Sequence, residues 1–192
     1  MKKLSLFLLL LVCLQAHADN WLKNGDFSEG IDHWRGNGRS PADFASGNPF
    51  DKPDPLLSKG LIIELKNTVW QKVQQDFRGK LSSAVLTLTY QVTDDTTFST
   101  KAEDYANVPL HIDYDGWKAF DIPVQSWIVF ITDFGTSKGT YYILKPNLGA
   151  KGPQTIKASL SALTPYSDKT ICLAFPPGQG KVVILNISIE DK

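Results

Sequence analysis

Residues 20–34 read Asn-Trp-Leu-Lys-Asn-Gly-Asp-Phe-Ser-Glu-Gly-Ile-Asp-His-Trp, and the rest of the chain is organised around them. Trp21-Leu22-Lys23 can pair as an edge strand. Asn24-Gly25-Asp26 is typical of a turn, because Asn and Gly tolerate positive φ. Phe27 and Trp34 are large apolar side chains on either side of a second, glycine-containing turn. Two such anchors fix how the first strand enters a core.

Residues 1–18 have the pattern of a secretory signal peptide. Two lysines precede an apolar run from Leu4 to Leu14, and Ala16-His17-Ala18 is a small-x-small cleavage signal. The apolar run is too short for a spanning helix with stable flanks. We therefore predict a single mature domain of residues 19–192, secreted or periplasmic, with no membrane span.

The charge balance argues against two classes of partner. The 192-residue chain has 20 basic and 20 acidic residues, and 18 basic residues remain when Lys2 and Lys3 are removed with the signal peptide. Such a chain has no positive excess to attract nucleic acid or an anionic membrane. Cys172 is the one cysteine outside the signal peptide, so no intramolecular disulfide is expected. We expect a monomer.

Short stretches with period-two alternation follow residue 60, separated by turn signals. About eight to ten such strands predict an all-β fold, a two-sheet antiparallel β-sandwich of the jelly-roll kind. Trp127 to Phe134 is apolar on both faces, which suits a central strand, whereas residues 146–168 are weakly patterned. Alternation predicts that one set of residues is buried between the sheets: Val69, Val73, Phe77, Leu86, Leu88, Leu173, Phe175, Val183, Leu185, Ile187 and Ile189.

Three segments resemble carbohydrate-binding modules with a jelly-roll, galactose-binding-like fold, of the kind appended to xylanases and cellulases. The first strand of those modules reads asparagine, an aliphatic residue, Asn-Gly-(Asp or Gly)-Phe, an acidic turn with glycine, and a tryptophan, as residues 20–34 do. Residues 60–77 resemble their second and third strands, and residues 170–189 resemble their closing hairpin. The resemblance implies this fold and a carbohydrate ligand.

Trp70 is the residue on which predicted sugar binding depends. Because Val73 and Phe77 point to the core, alternation directs Trp70, Lys72 and Gln74 to the opposite face. An indole ring can stack on the apolar face of a sugar while polar neighbours meet its hydroxyls. The resemblance also places a tryptophan here in the ligand cleft. The alternative is that residues 35–59 cover Trp70 as a packing residue.

Further ligand candidates come from the same resemblance and from exposed aromatics. An arginine after the opening tryptophan can contribute in those modules, matched by Arg35 or Arg39. An aromatic platform could be completed by Tyr141, Tyr142 or Trp117.

The resemblance implies a structural calcium ion between the opening turn and the last strand. Asp26 and Glu29 are the candidate ligands, because carboxylate and backbone oxygens at a turn suit calcium. The closing strand of those modules often reads Asp-Asn-Val, and residues 185–187 here read Leu-Asn-Ile. Leu185 thus replaces an acidic ligand.

Catalysis finds little support in the sequence. There is no Gly-x-Ser-x-Gly elbow, and no spacing singles out a pair of carboxylates. We predict a secreted, non-catalytic protein that binds carbohydrate with one sheet face. The alternative is a secreted structural or protein-interaction module without sugar binding. An exposed Trp70 favours the first hypothesis, and a Trp70 buried under a loop favours the second.

Overall fold

The computed structural model describes residues 19–36, 38–39, 60–111, 114–119, 122–134 and 139–192. The predicted signal peptide and residues 40–59 lie outside the described residues. The strands are β1 (Arg35–Gly36), β2 (Gly38–Arg39), β3 (Leu61–Glu64), β4 (Gln71–Gly79), β5 (Ala84–Val92), β6 (Thr97–Phe98), β7 (Asn107–His111), β8 (Tyr114–Ala119), β9 (Trp127–Asp133), β10 (Gly139–Leu144), β11 (Gln154–Leu160), β12 (Ser167–Phe175), β13 (Gly178–Gln179) and β14 (Lys181–Asp191).

Two five-stranded antiparallel sheets form the body of the protein. The front sheet has the order β1-β4-β12-β9-β10, and the back sheet has the order β11-β5-β14-β3-β2. One short 3-10 helix, Ala102–Tyr105, lies between β6 and β7. The predicted β-sandwich is confirmed. In the part of the chain that the structure describes, no helix has the length and apolarity that crossing a bilayer would need.

The inter-sheet core is built from the inward faces of both sheets. Leu86, Leu88, Val73, Phe77, Leu173, Phe175, Ile187 and Ile189 are buried there as predicted. Trp127 of the central strand β9 packs against Tyr90 and Phe175, with ring centroids 4.7 and 5.1 Å apart. Truncating such a residue costs both transfer free energy and a cavity, so this core carries much of the stability.

The last strand does not keep one alternation along its length. β14 has a bulge between Ile184 and Asn186 where it pairs with β5. Val182 and Ile184 face the core before the bulge, and Ile187 and Ile189 face it afterwards. The predictions that Val183 and Leu185 face this core are therefore wrong, because one extra residue reverses the side-chain parity.

One other sequence prediction fails locally, and one strand lies where the sequence is weakly patterned. Val69 pairs with Lys66 in an isolated bridge before β4 begins, and its side chain is exposed rather than inward. The weakly patterned region 146–168 contains β11, which pairs with β5 along its whole length. Its alternating Ile156, Ala158 and Leu160 pack on the core.

The opening stretch docks on the last strand, which positions the site described below. Trp21 N donates to Ile189 O at 2.8 Å, and Ile187 N donates to Gly25 O at 2.8 Å. A Cβ on Gly25 would lie 2.1 Å from Ile187 O, so this approach requires glycine. Trp34, which ends the stretch, is buried. It delivers the chain into β1 at one edge of the front sheet.

Candidate functional site

The outer face of the front sheet carries five of the sequence-predicted candidates: Arg35, Trp70, Lys72, Gln74 and Tyr141. Arg39 lies in β2 of the back sheet, and Trp117 lies in β8. Strand pairing aligns one residue from each strand in a row across this face: Arg35, Gln74, Cys172, Phe130 and Tyr141. Four interstrand steps make the row about 19 Å long. The row divides the face into two halves of different character.

The covered half contains Trp70, Ile128, Phe130, Cys172 and Ala174. They form a second hydrophobic cluster with three residues from outside the sheet, Tyr105, Val108 and Ile122. This cluster is separate from the inter-sheet core, which agrees with the prediction that Trp70 faces away from that core.

Trp70 is a packing residue and not an exposed platform. Its side chain is 8% exposed, and its ring meets Tyr105 edge-on with centroids 5.6 Å apart. The indole Nε1 donates a hydrogen bond to Asp104 O at 2.8 Å. Both the stacking face and the polar edge of the indole are therefore engaged, and the predicted stacking of a sugar on exposed Trp70 is not supported.

The cover over Trp70 comes from the 3-10 helix and its neighbours. Tyr105 Oη donates to Ser99 O at 2.7 Å, and the Ser99 hydroxyl donates to the Asp104 carboxylate. These contacts tie the segment from Ser99 to Tyr105 into a compact cap. The prediction named residues 35–59 as the cover; the described cover lies elsewhere in the sequence.

Cys172 lies in the middle of the covered half. Burial raises the pKa of its thiol to about 12, against a smaller lowering by the positive charge of Lys72. A thiol that stays protonated at neutral pH is a poor nucleophile and a poor metal ligand. Cys172 is therefore part of the packing.

Two further predicted ligand residues are placed differently from the prediction. Gln74 does point to the outer face, but it is buried between Arg35 and Cys172. Tyr142 points the other way, since it packs on the inter-sheet core. Its Oη donates to Ser161 O at 2.9 Å and accepts from Ser161 N at 3.0 Å. Lys72 is half-buried on the outer face, opposite Ala174.

The open half begins at the predicted residue Arg35. Its guanidinium makes two contacts of 3.0 Å with the two oxygens of Asp76. The Thr170 hydroxyl donates to Asp76 Oδ1 at 2.7 Å. Arg35 and Asp76 remain partly exposed, with 46% and 34% of their side chains accessible. They form a neutralised corner that offers both donors and acceptors.

Two exposed aromatic residues lie next to the ends of neighbouring strands: Phe134 directly follows β9, and Tyr166 directly precedes β12. Phe134 N donates to Asp168 O at 3.0 Å, and Asp168 is 3.9 Å from Arg78 on β4. Strand alternation puts Arg78, Asp168 and Phe134 on the outer face. Phe134 is 59% exposed, and Tyr166, two residues before Asp168, is 68% exposed.

Sequence reasoning missed both aromatics. Phe134 is the last residue of an apolar run that predicts a buried strand. Its position at the end of the run was the one sign in the sequence that its side chain is exposed. Tyr166 lies in a region without periodicity and adopts a left-handed φ of 54°. Exposed aromatic side chains of this size often mark a binding surface.

The opening turn offers few open oxygens to the predicted calcium ion. Asn24 Nδ2 donates to Gly30 O and Asp32 O, and Asp26 Oδ1 accepts from the Ser28 hydroxyl at 2.9 Å. Glu29 is exposed, and its backbone N–H donates to Asn24 Oδ1. Within the described ranges, no group of three or more His, Cys, Asp or Glu side chains is arranged to hold a metal. Asp26 and Glu29 as calcium ligands stay a prediction.

No protein-family model matches the sequence, and no curated protein matches it either. Several solved structures share its fold at low identity. TmCBM61, in complex with β-1,4-galactotriose, is 9% identical with a TM-score of 0.50, covering 91% of this chain and 100% of its own. The CBM22-1 xylan-binding domain of Paenibacillus barcinonensis Xyn10C is 8% identical with a TM-score of 0.50, covering 90% of this chain and 94% of its own.

An enzyme also carries the fold. The enzymatically active domain of tailspike protein 4 from bacteriophage CBA120 is 10% identical with a TM-score of 0.53, covering 89% of this chain and 21% of its own. The chain thus has the jelly-roll fold of carbohydrate-binding modules. At such identities the likeness concerns the fold, and the function must be argued from the site.

Proposed function

We propose that the protein is a secreted, non-catalytic carbohydrate-binding β-sandwich, and that its ligand lies on the open half of the front sheet. The observation that carries the proposal is the exposure of two aromatics, Phe134 directly after β9 and Tyr166 directly before β12, in the same sheet as the polar corner of Arg35 and Asp76. Predicted export rests on the signal pattern of residues 1–18, and predicted lack of catalysis rests on the sequence motifs.

The chemistry of a sugar matches this combination of side chains. Its C–H faces are apolar and can pack on aromatic rings, and its hydroxyls both donate and accept hydrogen bonds. Phe134 and Tyr166 supply the aromatic surface. Arg35 supplies donors and Asp76 acceptors, and their mutual neutralisation suits an uncharged ligand. The solved structures of this fold that bind galactotriose and xylan support the same class of ligand.

A second candidate is a structural or protein-interaction module. The burial of Trp70 favours it, because the residue that most suggests a sugar cleft in the sequence is used for packing. Exposed aromatics also serve protein interfaces, where Tyr and Phe are enriched. The two candidates differ in the partner that the open half contacts.

Glycan-array binding followed by titration separates the two candidates. We expect the mature protein to bind a neutral polysaccharide or oligosaccharide, and Phe134→Ala together with Tyr166→Ala to weaken binding at least tenfold, which is about 1.4 kcal/mol. Val124→Ala, at another exposed apolar residue, is the matched control and should bind as the wild type does.

Two outcomes contradict the proposal. If the wild type binds no glycan on the array, the second candidate becomes the better account of the fold. If the double variant keeps full affinity, the sugar lies elsewhere and the open half is not the site.

A further inference from the structure

Lys169 is a lysine inside the sandwich, directly beneath the open half. It occupies an inward position of β12, opposite Phe77 of β4 and Asp133 of β9. Its side chain is 2% exposed, which is rare for lysine because burying an ammonium group costs free energy unless it is paired. The neighbouring inward residue, Ile171, belongs to the apolar core. A lysine here needs a reason other than packing.

The ammonium group contacts oxygens of the turn that precedes β12. Lys169 Nζ donates to Thr164 O and to the Ser167 hydroxyl, and lies 3.5 Å from Ser167 O. Asp133 Oδ1 is 3.9 Å away. An ammonium has three donors and no acceptor, so oxygens converging from one turn are the partners that suit it.

The turn from Ser161 to Ser167 needs such ties. Ala162 and Tyr166 both have left-handed φ angles, 57° and 54°, which a non-glycine residue adopts only when its surroundings hold it. Two backbone hydrogen bonds anchor the turn: Tyr166 N donates to Gly79 O at the end of β4, and Leu163 N donates to Ser82 O in the chain that follows. Lys169 adds a third anchor from inside the core.

Lys169 also connects the two exposed aromatics. Its hydrogen bonds to Thr164 and Ser167 hold the turn that carries Tyr166. Its ammonium group also faces Asp133, the residue that directly precedes Phe134. We propose that Lys169 is a positioning residue for ligand binding, which holds the turn that carries Tyr166 and the end of β9 that carries Phe134, an inference that rests on the proposed function above.

Charged groups around Lys169 come from three strands. Asp133 faces it from β9, and Asp168 of β12 is nearby and itself pairs with Arg78 of β4. Burial lowers the pKa of Lys169, against a smaller raising by Asp133 and Asp168. Deprotonation on the alkaline side therefore weakens the anchor at a lower pH than for an exposed lysine.

The test compares Lys169→Met with the control Lys157→Met, which removes an exposed lysine from the edge strand β11. Methionine keeps the stem and removes the charge, and such replacements of buried charges are often neutral for the fold. With Lys169→Met, we expect the amides of Leu163 and Tyr166 to exchange at least tenfold faster, with the melting temperature nearly unchanged. We also expect threefold to tenfold weaker glycan binding.

The pH dependence of glycan affinity distinguishes a positioning role of Lys169 from a general role in stabilising the fold. Between pH 7 and 10, the glycan affinity of the wild type should fall towards that of Lys169→Met, while the ratio between wild type and Lys157→Met stays constant. Lys169→Gln gives the same comparison if the methionine variant does not fold.

Amide exchange tests whether Lys169 holds the turn, and this test does not depend on whether the protein binds a glycan. Unchanged exchange at Leu163 and Tyr166 overturns it, since Lys169 then does not hold the turn. Faster exchange with unchanged glycan affinity overturns the positioning role and leaves glycan binding intact. If the wild type binds no glycan, the proposed function fails and the role in ligand binding is overturned with it, while the exchange data still show what holds the turn.

Discussion

The two halves of the front sheet's outer face are built from the same strands, but one half is covered and the other is exposed. Trp70 lies in the covered half directly before β4, and Asp76, six residues later, lies in the open half. Over the covered half, Tyr105, Val108 and Ile122 supply the second layer of a hydrophobic cluster. The open half presents ion pairs and exposed aromatics. Burial on a sheet face is therefore decided by the chain that lies over that face.

The largest expected effect comes from removing the centre of the covered half. Trp70→Ala should lower the free energy of unfolding by about 3–5 kcal/mol, because it leaves a cavity and orphans the partner of its indole N–H. Tyr166→Ala, the matched aromatic truncation at the open end, should stay within about 0.5 kcal/mol. Urea unfolding measures both. Equal small losses would show that the cap does not pack on Trp70.

Cys172 reports directly on whether the cover stays closed. Its raised pKa, about 12, keeps the thiol protonated at pH 8, and burial blocks access. Alkylation by iodoacetamide should therefore be at least about a hundredfold slower in the native protein than in urea, since it requires local opening. Labelling is followed by mass spectrometry. Rapid labelling of the native protein would mean that the cap opens readily.

The polar corner should contribute far less to stability than the covered half. Asp76→Asn removes the charge that Arg35 and Thr170 contact, and we expect a loss of about 1 kcal/mol or less because the pair is partly exposed. Asp168→Asn, whose partner Arg78 is farther away and more exposed, should cost less still. Thermal melting compares them. A loss of several kcal/mol from Asp76→Asn would place the corner inside a core.

The smallest expected effect concerns the opening turn, which leads through Trp34 into β1. We expect excess EDTA to leave the melting temperature unchanged, because the turn's oxygens are engaged by Asn24 and Ser28. A ligand bound only to the folded state would stabilise it, so its removal would lower the melting temperature. A clear fall that added calcium restores would establish the ion predicted at Asp26 and Glu29.

Much of the fold could be predicted because strand alternation is a local property. Leu86 and Leu88 face the core since a side-chain period of two follows from the backbone alone. The apolar run of β9 predicted an interior strand, because a strand that is covered on both faces needs apolar residues on both. The opening stretch predicted its buried anchors, Phe27 and Trp34, because bulky apolar groups around turns must pack.

The candidate site could be predicted only in part. Arg35 is on the expected face, next to Gln74, but Trp70 and Tyr142 are committed to packing. The exposure of Phe134 and Tyr166 was not predicted, because exposure depends on which other parts of the chain lie nearby. The side-chain period of a strand gives the face on which a residue lies, but not whether that face is covered.

The sequence by itself determined the β-sandwich, the inward residues of its regular strands and the side of β4 on which Trp70 lies. Tertiary structure alone decided that the cap of residues 99–105, with Val108 and Ile122, covers Trp70. It also decided that a bulge turns Leu185 out of the core and that Lys169 anchors a turn from within. The physical reason is distance along the chain. Alternation acts between neighbours, whereas a cover, a bulge and a buried ammonium are set by partners many residues away.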